Sequence, residues 1–268
     1  MQIGFIGLGT MGLPMVKQLC SNGLNVHVYA RREQARLAAQ AQGAHIQPTP
    51  AALAASADMV ILCLYSDQQV RDLVIGPEGF APSLKPGASL VIHTTGSPHT
   101  AQDIATAIAP MGCRVLDVPV SGGPHNISAG NITLLAGGDA ATLERCRPAL
   151  STYGNPIIHT GELGCGQAVK LVNNLLFGAQ IDLVMDASRI LDQLGVDRHT
   201  ALSAIGHCSG NSQVLQMALR SGAIENLLQS AGRFIAKDRE TADQVARALG
   251  IATGALGSTA ANAPENSA

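Results

Sequence analysis

One of the chain's four lysines, Lys170, stands among Ala168, Val169, Leu171 and Val172 in a segment that reads as helix. Partial burial there lowers an ammonium's pKa and suits it to exchanging a proton with an alcohol or carbonyl oxygen. The competing reading is a lysine that snorkels off an apolar helix face and does no chemistry. Asn174, four residues on, shares a face with Lys170. Near the N-terminus, Gly7-Leu8-Gly9-Thr10-Met11-Gly12 spells GxGxxG between a short apolar strand, Gln2–Ile6, and a helical pattern with Met15, Val16, Leu19 and Cys20 on one face. In that context Gly7 permits a tight turn, Gly9 admits a pyrophosphate to the backbone, and Gly12 lets helix pack on strand. The six residues from Gly7 to Gly12 are therefore candidate cofactor ligands, with the helix N-terminus facing the phosphates. The strand Val26–Tyr29 then ends in Ala30-Arg31-Arg32, with no carboxylate before Glu33. A carboxylate there takes the ribose 2′-hydroxyl of NAD, whereas two guanidiniums suit a 2′-phosphate. Arg31 and Arg32 thus favour NADP(H) over NAD(H), unless they are a solvated pair opening the next helix.

These groups need a scaffold, and the rest of the chain supplies one. Apolar runs continue at Met59–Leu64, Ser89–Ile92, Arg114–Leu116 and Ile132–Ala136, separated by helical patterns. The alternation predicts a doubly wound parallel sheet, a Rossmann fold, with its ligand crevice at the carboxyl ends of the strands. Leu64, the Thr94-Thr95 loop and the Ser121-Gly122-Gly123 turn all fall at that edge, and Leu64 is placed against the cofactor. A Ser-Gly-Gly turn exposes N–H groups able to hold a carboxylate, though the same three residues also make ordinary turns. After Gly161 the pattern changes to one long helix from Gln167 to about Leu194, interrupted only by Gly178, and then to shorter helices. The expected organisation is a dinucleotide-binding domain over 1–162, an all-α substrate and dimerisation domain over 163–252, and a disordered Gly/Ser/Ala/Asn/Pro tail over 253–268.

Composition narrows the function classes. The chain has 268 residues, 46% hydrophobic and 13% charged, with a formal net charge of −2. Without a basic patch, nucleic acid is not an expected partner. No apolar run of about 18 residues is evident, so no membrane span is expected. The six cysteines are scattered with no CxxC pair, which reads as reduced thiols in a cytoplasmic protein, and with the fingerprint starting at residue 7 no targeting segment is expected. The His and carboxylate residues show no ligand spacing, so no metal is expected.

Five blocks in order resemble the β-hydroxyacid dehydrogenase family, the group of 3-hydroxyisobutyrate dehydrogenase and tartronate semialdehyde reductase. They are Gly7–Pro14, Thr94–Pro98, Asp117–Pro124, Gly166–Asn174 and Lys237-Asp238. The resemblance implies hydride transfer between a nicotinamide and a small β-hydroxy acid or its semialdehyde or keto acid. It makes Lys170 the general acid/base and Asn174 the residue that orients the substrate. It gives the substrate carboxylate to Ser121, Gly122 and Gly123, lays Thr95 against the nicotinamide, and brings Lys237 to the cofactor. It also implies a homodimer or homotetramer packed along the long helix. Three departures stand out: His93 before Thr94, Asp186 in place of the usual glutamate, and a segment His207–Gln213 without an aromatic residue. The family also continues through further helices beyond Lys237-Asp238, so the pocket is expected to be more open or to be completed by a neighbouring subunit. Two other functions fit the same fold: a dinucleotide-binding sensor or scaffold without turnover, and an imine reductase, against which Lys170 argues.

Overall fold

The central strands of the sheet are buried on both faces, and their side chains part alternately to two cores. The strands are β1 (Gln2–Ile6), β2 (Asn25–Tyr29), β3 (His45–Ile46), β4 (Met59–Leu62), β5 (Ser89–Ile92), β6 (Arg114–Asp117), β7 (Val120–Ser121), β8 (Ile132–Gly137) and β9 (Gly154–Gly161). Phe5, Met59, Ile61 and Val91 enter one core, while Ile6, Val60, Leu62, Leu90 and Ile92 enter the other. The two-residue period of a strand puts neighbouring side chains on opposite faces, so a sheet covered on both sides reads as an unbroken apolar run. The computed structural model of the chain describes residues 1–257, leaving out the side chains of Ser230, Ala231, Arg233 and Phe234.

The first six strands run parallel in the order β3-β2-β1-β4-β5-β6. That is the doubly wound Rossmann order, with the switch point between β1 and β4. The sheet then departs from purely parallel pairing. β8 lies antiparallel to both β6 and β7, and β9 runs parallel to β8. The sheet's helices are α1 (Gly12–Ser21), α2 (Glu33–Gln40), α3 (Pro50–Ser56), α4 (Asp67–Ile75), α5 (Pro98–Ile108), α6 (Pro124–Ser128) and α7 (Ala140–Leu150).

Two compact units divide the chain, Met1–Lys170 and the residues from Leu171 onward, so the division falls inside the long helix α8 (Cys165–Gln193). The second unit continues with α9 (Arg198–Ile205), α10 (Gln213–Arg220) and α11 (Ile224–Ala248). Ile181 and Val184 of α8 pack there with Leu202, Val214 and Leu215. The expected run of shorter helices holds for α9 and α10 but not for α11, which is 25 residues long. Gly178 finds its reason in α11: a Cβ at that point would lie 3.0 Å from Arg239 Cδ. The Arg239 guanidinium donates to both carboxylate oxygens of Asp182, at 3.1 and 2.7 Å. Residues 254–256 of the expected tail form a single 3₁₀ turn flanked by Thr253 and Gly257, and 258–268 lie outside the described residues.

α8 corrects one expectation. By length and composition it is long and apolar enough to cross a membrane, with 29 residues and a mean hydropathy of 1.2 over its most apolar window. Its first turns carry Lys170, Asn173 and Asn174, and Leu171, Leu175, Ile181 and Val184 are buried in the protein core. Those features make it a core helix.

Candidate active site

The glycine fingerprint separates into positions the protein itself requires and one it does not. Gly7 sits at φ +111°, where a Cβ would strike the Cys63 carbonyl. A Cβ at Gly12 would strike the carbonyl of Gly7. Around Gly9, in contrast, nothing lies within 4 Å of an added Cβ, and the residue is exposed. Gly9 therefore matters only to something that approaches from outside. Thr10 is exposed and Met11 half-buried beside it. No side chain caps α1 and no acidic residue stands in its first turn; the Leu13 N–H donates to the Gly9 carbonyl at 3.1 Å and Pro14 has no N–H, which leaves the N–H groups ahead of Leu13 and the positive dipole end to a phosphate. These residues fit a dinucleotide pyrophosphate.

At the tip of β2, Arg31 and Arg32 are both exposed. Arg32 occupies the N-cap position of α2 without making a side-chain cap bond. Arg36, which the sequence reading did not single out, donates to the carbonyls of Ala30 and Arg31, at 3.3 Å each. That pins the backbone from which the Arg31 side chain leaves.

The Thr95 loop is held from several sides. Thr94 Oγ1 accepts from the Leu64 N–H at 2.8 Å, which joins the ends of β4 and β5. Asp67 accepts from the Thr100 hydroxyl at 2.6 Å and packs against Gly96, and its burial raises its pKa. Gln167, on the first turn of α8, accepts from the Gly96 N–H at 2.9 Å and donates to the Thr94 carbonyl at 2.7 Å. Thr95 itself is half-buried, and no hydrogen bond among the described residues engages its hydroxyl. His93, the family departure, turns into the core instead. Its Nδ1 lies 2.6 Å from the Val118 carbonyl and its Nε2 lies 2.8 Å from the Tyr153 hydroxyl. Burial lowers its pKa to about 4, so the ring is neutral. A carbonyl only accepts, so Nδ1 carries the proton and Nε2 accepts from Tyr153.

Asp117 ends β6 fully buried and ties that strand to α8. Its Oδ1 accepts from the Gly164 N–H and its Oδ2 from the Gln167 N–H, both at 2.7 Å. Burial raises its pKa, against the lowering effect of these bonds. Lys170 follows one turn later and is buried at 7% exposure. Asn174 is buried a further turn on, and its Nδ2 has no hydrogen-bond partner among the described residues. A buried amide donor left open is the exception that calls for a ligand.

The Ser121-Gly122-Gly123 turn begins on the last residue of β7, with Gly122 at φ +132°. The Gly123 N–H donates to the Asn126 carboxamide at 2.9 Å, so that donor is spent inside the turn. Asn126, not singled out from sequence, thus sets the shape of the turn. In the second unit Lys237 lies on α11. Asp186 pairs with Arg189 on an exposed face at 2.9 Å. The stretch His207–Asn211 is exposed apart from its boundary with α10, where Ser212 caps the helix by accepting from Leu215 N–H.

Comparison with known proteins gives the same answer. Residues 2–161 match the NAD binding domain of 6-phosphogluconate dehydrogenase. Residues 164–264 match the family described as NAD-binding of NADP-dependent 3-hydroxyisobutyrate dehydrogenase. The 2-(hydroxymethyl)glutarate dehydrogenase of Eubacterium barkeri is 34% identical over 80% of this chain and 71% of its own length. An NAD-dependent L-serine dehydrogenase of Pseudomonas aeruginosa is 31% identical over 99% of this chain and 89% of its own. The 3-hydroxyisobutyrate dehydrogenase of Mycobacterium tuberculosis, solved with L-serine, superposes with a TM-score of 0.86 at 26% identity, covering 95% of this chain and 89% of that one. Imine reductases at 19–20% identity share the fold alone. Fold and site define an NAD(P)-binding oxidoreductase of the Rossmann type. The chain belongs to the β-hydroxyacid dehydrogenase family and is a hydroxyacid dehydrogenase.

Proposed function

We propose that the protein interconverts a small β-hydroxy acid and its semialdehyde or keto acid, with NADP(H) preferred and Lys170 as general acid/base. The observation that carries this reading is the burial of Lys170 one turn beyond Gln167, whose carboxamide holds the Thr95 loop. Bound dinucleotide supplies or accepts the hydride. Residues Gly7 to Gly12 would hold its pyrophosphate, Arg31 and Arg32 its 2′-phosphate, and Leu64, Thr95 and Lys237 its nicotinamide end. In reduction, Lys170 gives its ammonium proton to the substrate oxygen as that oxygen becomes an alkoxide; in oxidation it takes the hydroxyl proton back. Asn174 offers its open Nδ2–H to the substrate. The Ser121 hydroxyl and the Gly122 backbone hold the carboxylate, with Gly123 shaping the turn.

The relatives' names, dehydrogenases of 2-(hydroxymethyl)glutarate, 3-hydroxyisobutyrate and L-serine, support a small hydroxy acid as substrate. An apolar stripe on α8, comprising Val169, Val172, Leu176, Leu183 and Ile190 at 43–66% exposure, supports a homodimer or homotetramer packed along that helix. Scattered cysteines support a cytoplasmic location.

The test is NADPH oxidation with glyoxylate, succinic, tartronate and methylmalonate semialdehydes, with NADH in parallel and NAD(P)+-linked oxidation of L-serine and 3-hydroxyisobutyrate as the reverse arm. Turnover that falls about 10²–10⁴-fold in Lys170→Ala, while NADPH affinity stays within a few-fold, supports the assignment. NADPH binding without turnover of any member moves the sensor or scaffold reading to first place. Equal loss of binding and rate makes Lys170 structural.

A further inference from the structure

Gln167 spends its backbone N–H and both ends of its carboxamide on β6 and the Thr95 loop. Its backbone N–H donates to Asp117 Oδ2 at 2.7 Å, its Oε1 accepts from the Gly96 N–H at 2.9 Å, and its Nε2 donates to the Thr94 carbonyl at 2.7 Å. The side chain is 2% exposed. Its two carboxamide bonds go to the residues on either side of Thr95, 73 and 71 positions away in sequence. The bracket therefore fixes the peptides flanking Thr95 and leaves the Thr95 hydroxyl unengaged. On the helix, Lys170 is the next residue on the same face.

We propose that Gln167 is a positioning residue that holds Thr95 and Lys170 in one rigid frame, so that the group laid against the nicotinamide and the group that moves the proton keep a fixed separation. The inference rests on the roles proposed above for Lys170 and Thr95. A carboxamide suits the task, because one rigid planar group presents an acceptor and a donor to an N–H and a C=O at once. An apolar side chain of the same shape would leave both buried backbone groups without partners. It would also release the loop from the helix. Displacement of a reacting group by about 1 Å costs on the order of 10²-fold in rate.

Two full-length variants test this. Gln167→Met keeps length and volume and removes both carboxamide bonds. Gln167→Glu keeps the acceptor for Gly96 and removes the donor to Thr94. Each is assayed with the panel aldehyde that the unsubstituted protein reduces fastest, using NADPH and NADPH deuterated at the transferred hydrogen. The expected result for Gln167→Met is a kcat about 10²-fold lower per NADPH-titrated site, with NADPH Kd within about threefold of the unsubstituted protein and a larger deuterium isotope effect on kcat. Gln167→Glu is expected to lie between the two, and it carries the test where the methionine variant does not fold. A glutamine that merely stabilises the fold would lower the melting temperature while leaving kcat per titrated site and the isotope effect unchanged, and that result overturns the proposal. Lys170→Ala separates this failure from that of the underlying reading. If Lys170→Ala turns over at the unsubstituted rate, the acid/base assignment falls and this inference with it. If Lys170→Ala is inactive and the Gln167 variants are not impaired, only this inference falls.

Discussion

The Tyr153 hydroxyl meets His93 Nε2 at 2.8 Å, with the two rings edge to face at 84° and their centroids 5.7 Å apart. Both side chains are buried, Tyr153 in one of the two cores of the sheet, and His93 lies two residues before Thr95. A histidine next to a candidate nicotinamide site invites a catalytic role, but both of its nitrogens are spent on the core.

That pairing sets a pH dependence of stability. The folded-state pKa of His93 is about 4 and the unfolded value about 6.5, so the unfolded chain binds the proton first. Stability contributed by the neutral ring is complete above about pH 6.5 and is lost as pH falls toward 4, by about 3 kcal/mol in total. Asp67 and Asp117, with raised pKa values, act in the opposite sense, destabilising as pH rises through the unfolded carboxylate range. Urea melts at pH 5 and 7.5 on the natural protein and on His93→Gln isolate the histidine contribution. A pH-dependent difference between the two proteins near zero would refute the assignment.

The glycines of the fingerprint make a second, separable prediction. Gly12→Ala forces a side chain into the Gly7 carbonyl and lowers the melting temperature. Gly9→Ala meets open space, so its melting temperature is expected to stay unchanged while dinucleotide affinity falls at least about tenfold. Thermal scans and NADPH fluorescence titration on the pair check both halves.

Cofactor choice is expected to rest on Arg31. Removing a charge-assisted donor to a phosphate costs about 1.5–3 kcal/mol, so Arg31→Ala should weaken NADPH about 10–100-fold and NADH little. Arg36→Ala should produce a smaller loss with the same preference, because Arg36 holds the Arg31 backbone rather than the ligand. Equal weakening of both dinucleotides by Arg31→Ala would exclude the 2′-phosphate contact.

In the second unit, Asp182 and Arg239 form a two-bond pair with side chains only 28% and 20% exposed. Asp182→Ala takes both hydrogen bonds and the nearer counter-charge from the guanidinium beside Gly178, leaving only the weaker influence of Asp243. The expected loss is about 1–2 kcal/mol, seen as a lower urea midpoint at unchanged slope.

The amino-acid sequence shows plainly those parts of the molecule that follow from local pattern. β1, β4, β5, β6 and β8 are legible because a strand covered on both faces must be apolar almost throughout, and β2 because Val26 and Val28 alternate with less buried residues. β9 is not: it is largely exposed, carries Asn155-Pro156, and is a strand because β8 pairs with it. α11 is masked by Gly232 and a run of charges between Ile235 and Ala242, and it holds together through packing on α8 rather than through propensity. The candidate site divides in the same way. Gly7, Gly12 and Lys170 announce themselves by type and spacing, and Gly9 by its company. Asp117, Asn126, Arg36 and Gln167 do not, because each works through a bond to backbone whose partner no spacing rule singles out. The partners of the Gln167 carboxamide lie 73 and 71 residues away, and those of the Asp117 carboxylate 47 and 50.

The division of the chain inside α8 has a practical consequence for anyone cutting the protein into pieces. A fragment stopped at residue 162, where the alternating strands and helices end, would strip Asp117 of both its backbone donors and leave Thr94 and Gly96 without Gln167. Extending the same fragment to Lys170 retains all four bonds. The first turn and a half of α8 is thus structurally the last piece of the nucleotide-binding half, and autonomous folding of that half is expected only when residues 163–170 are kept.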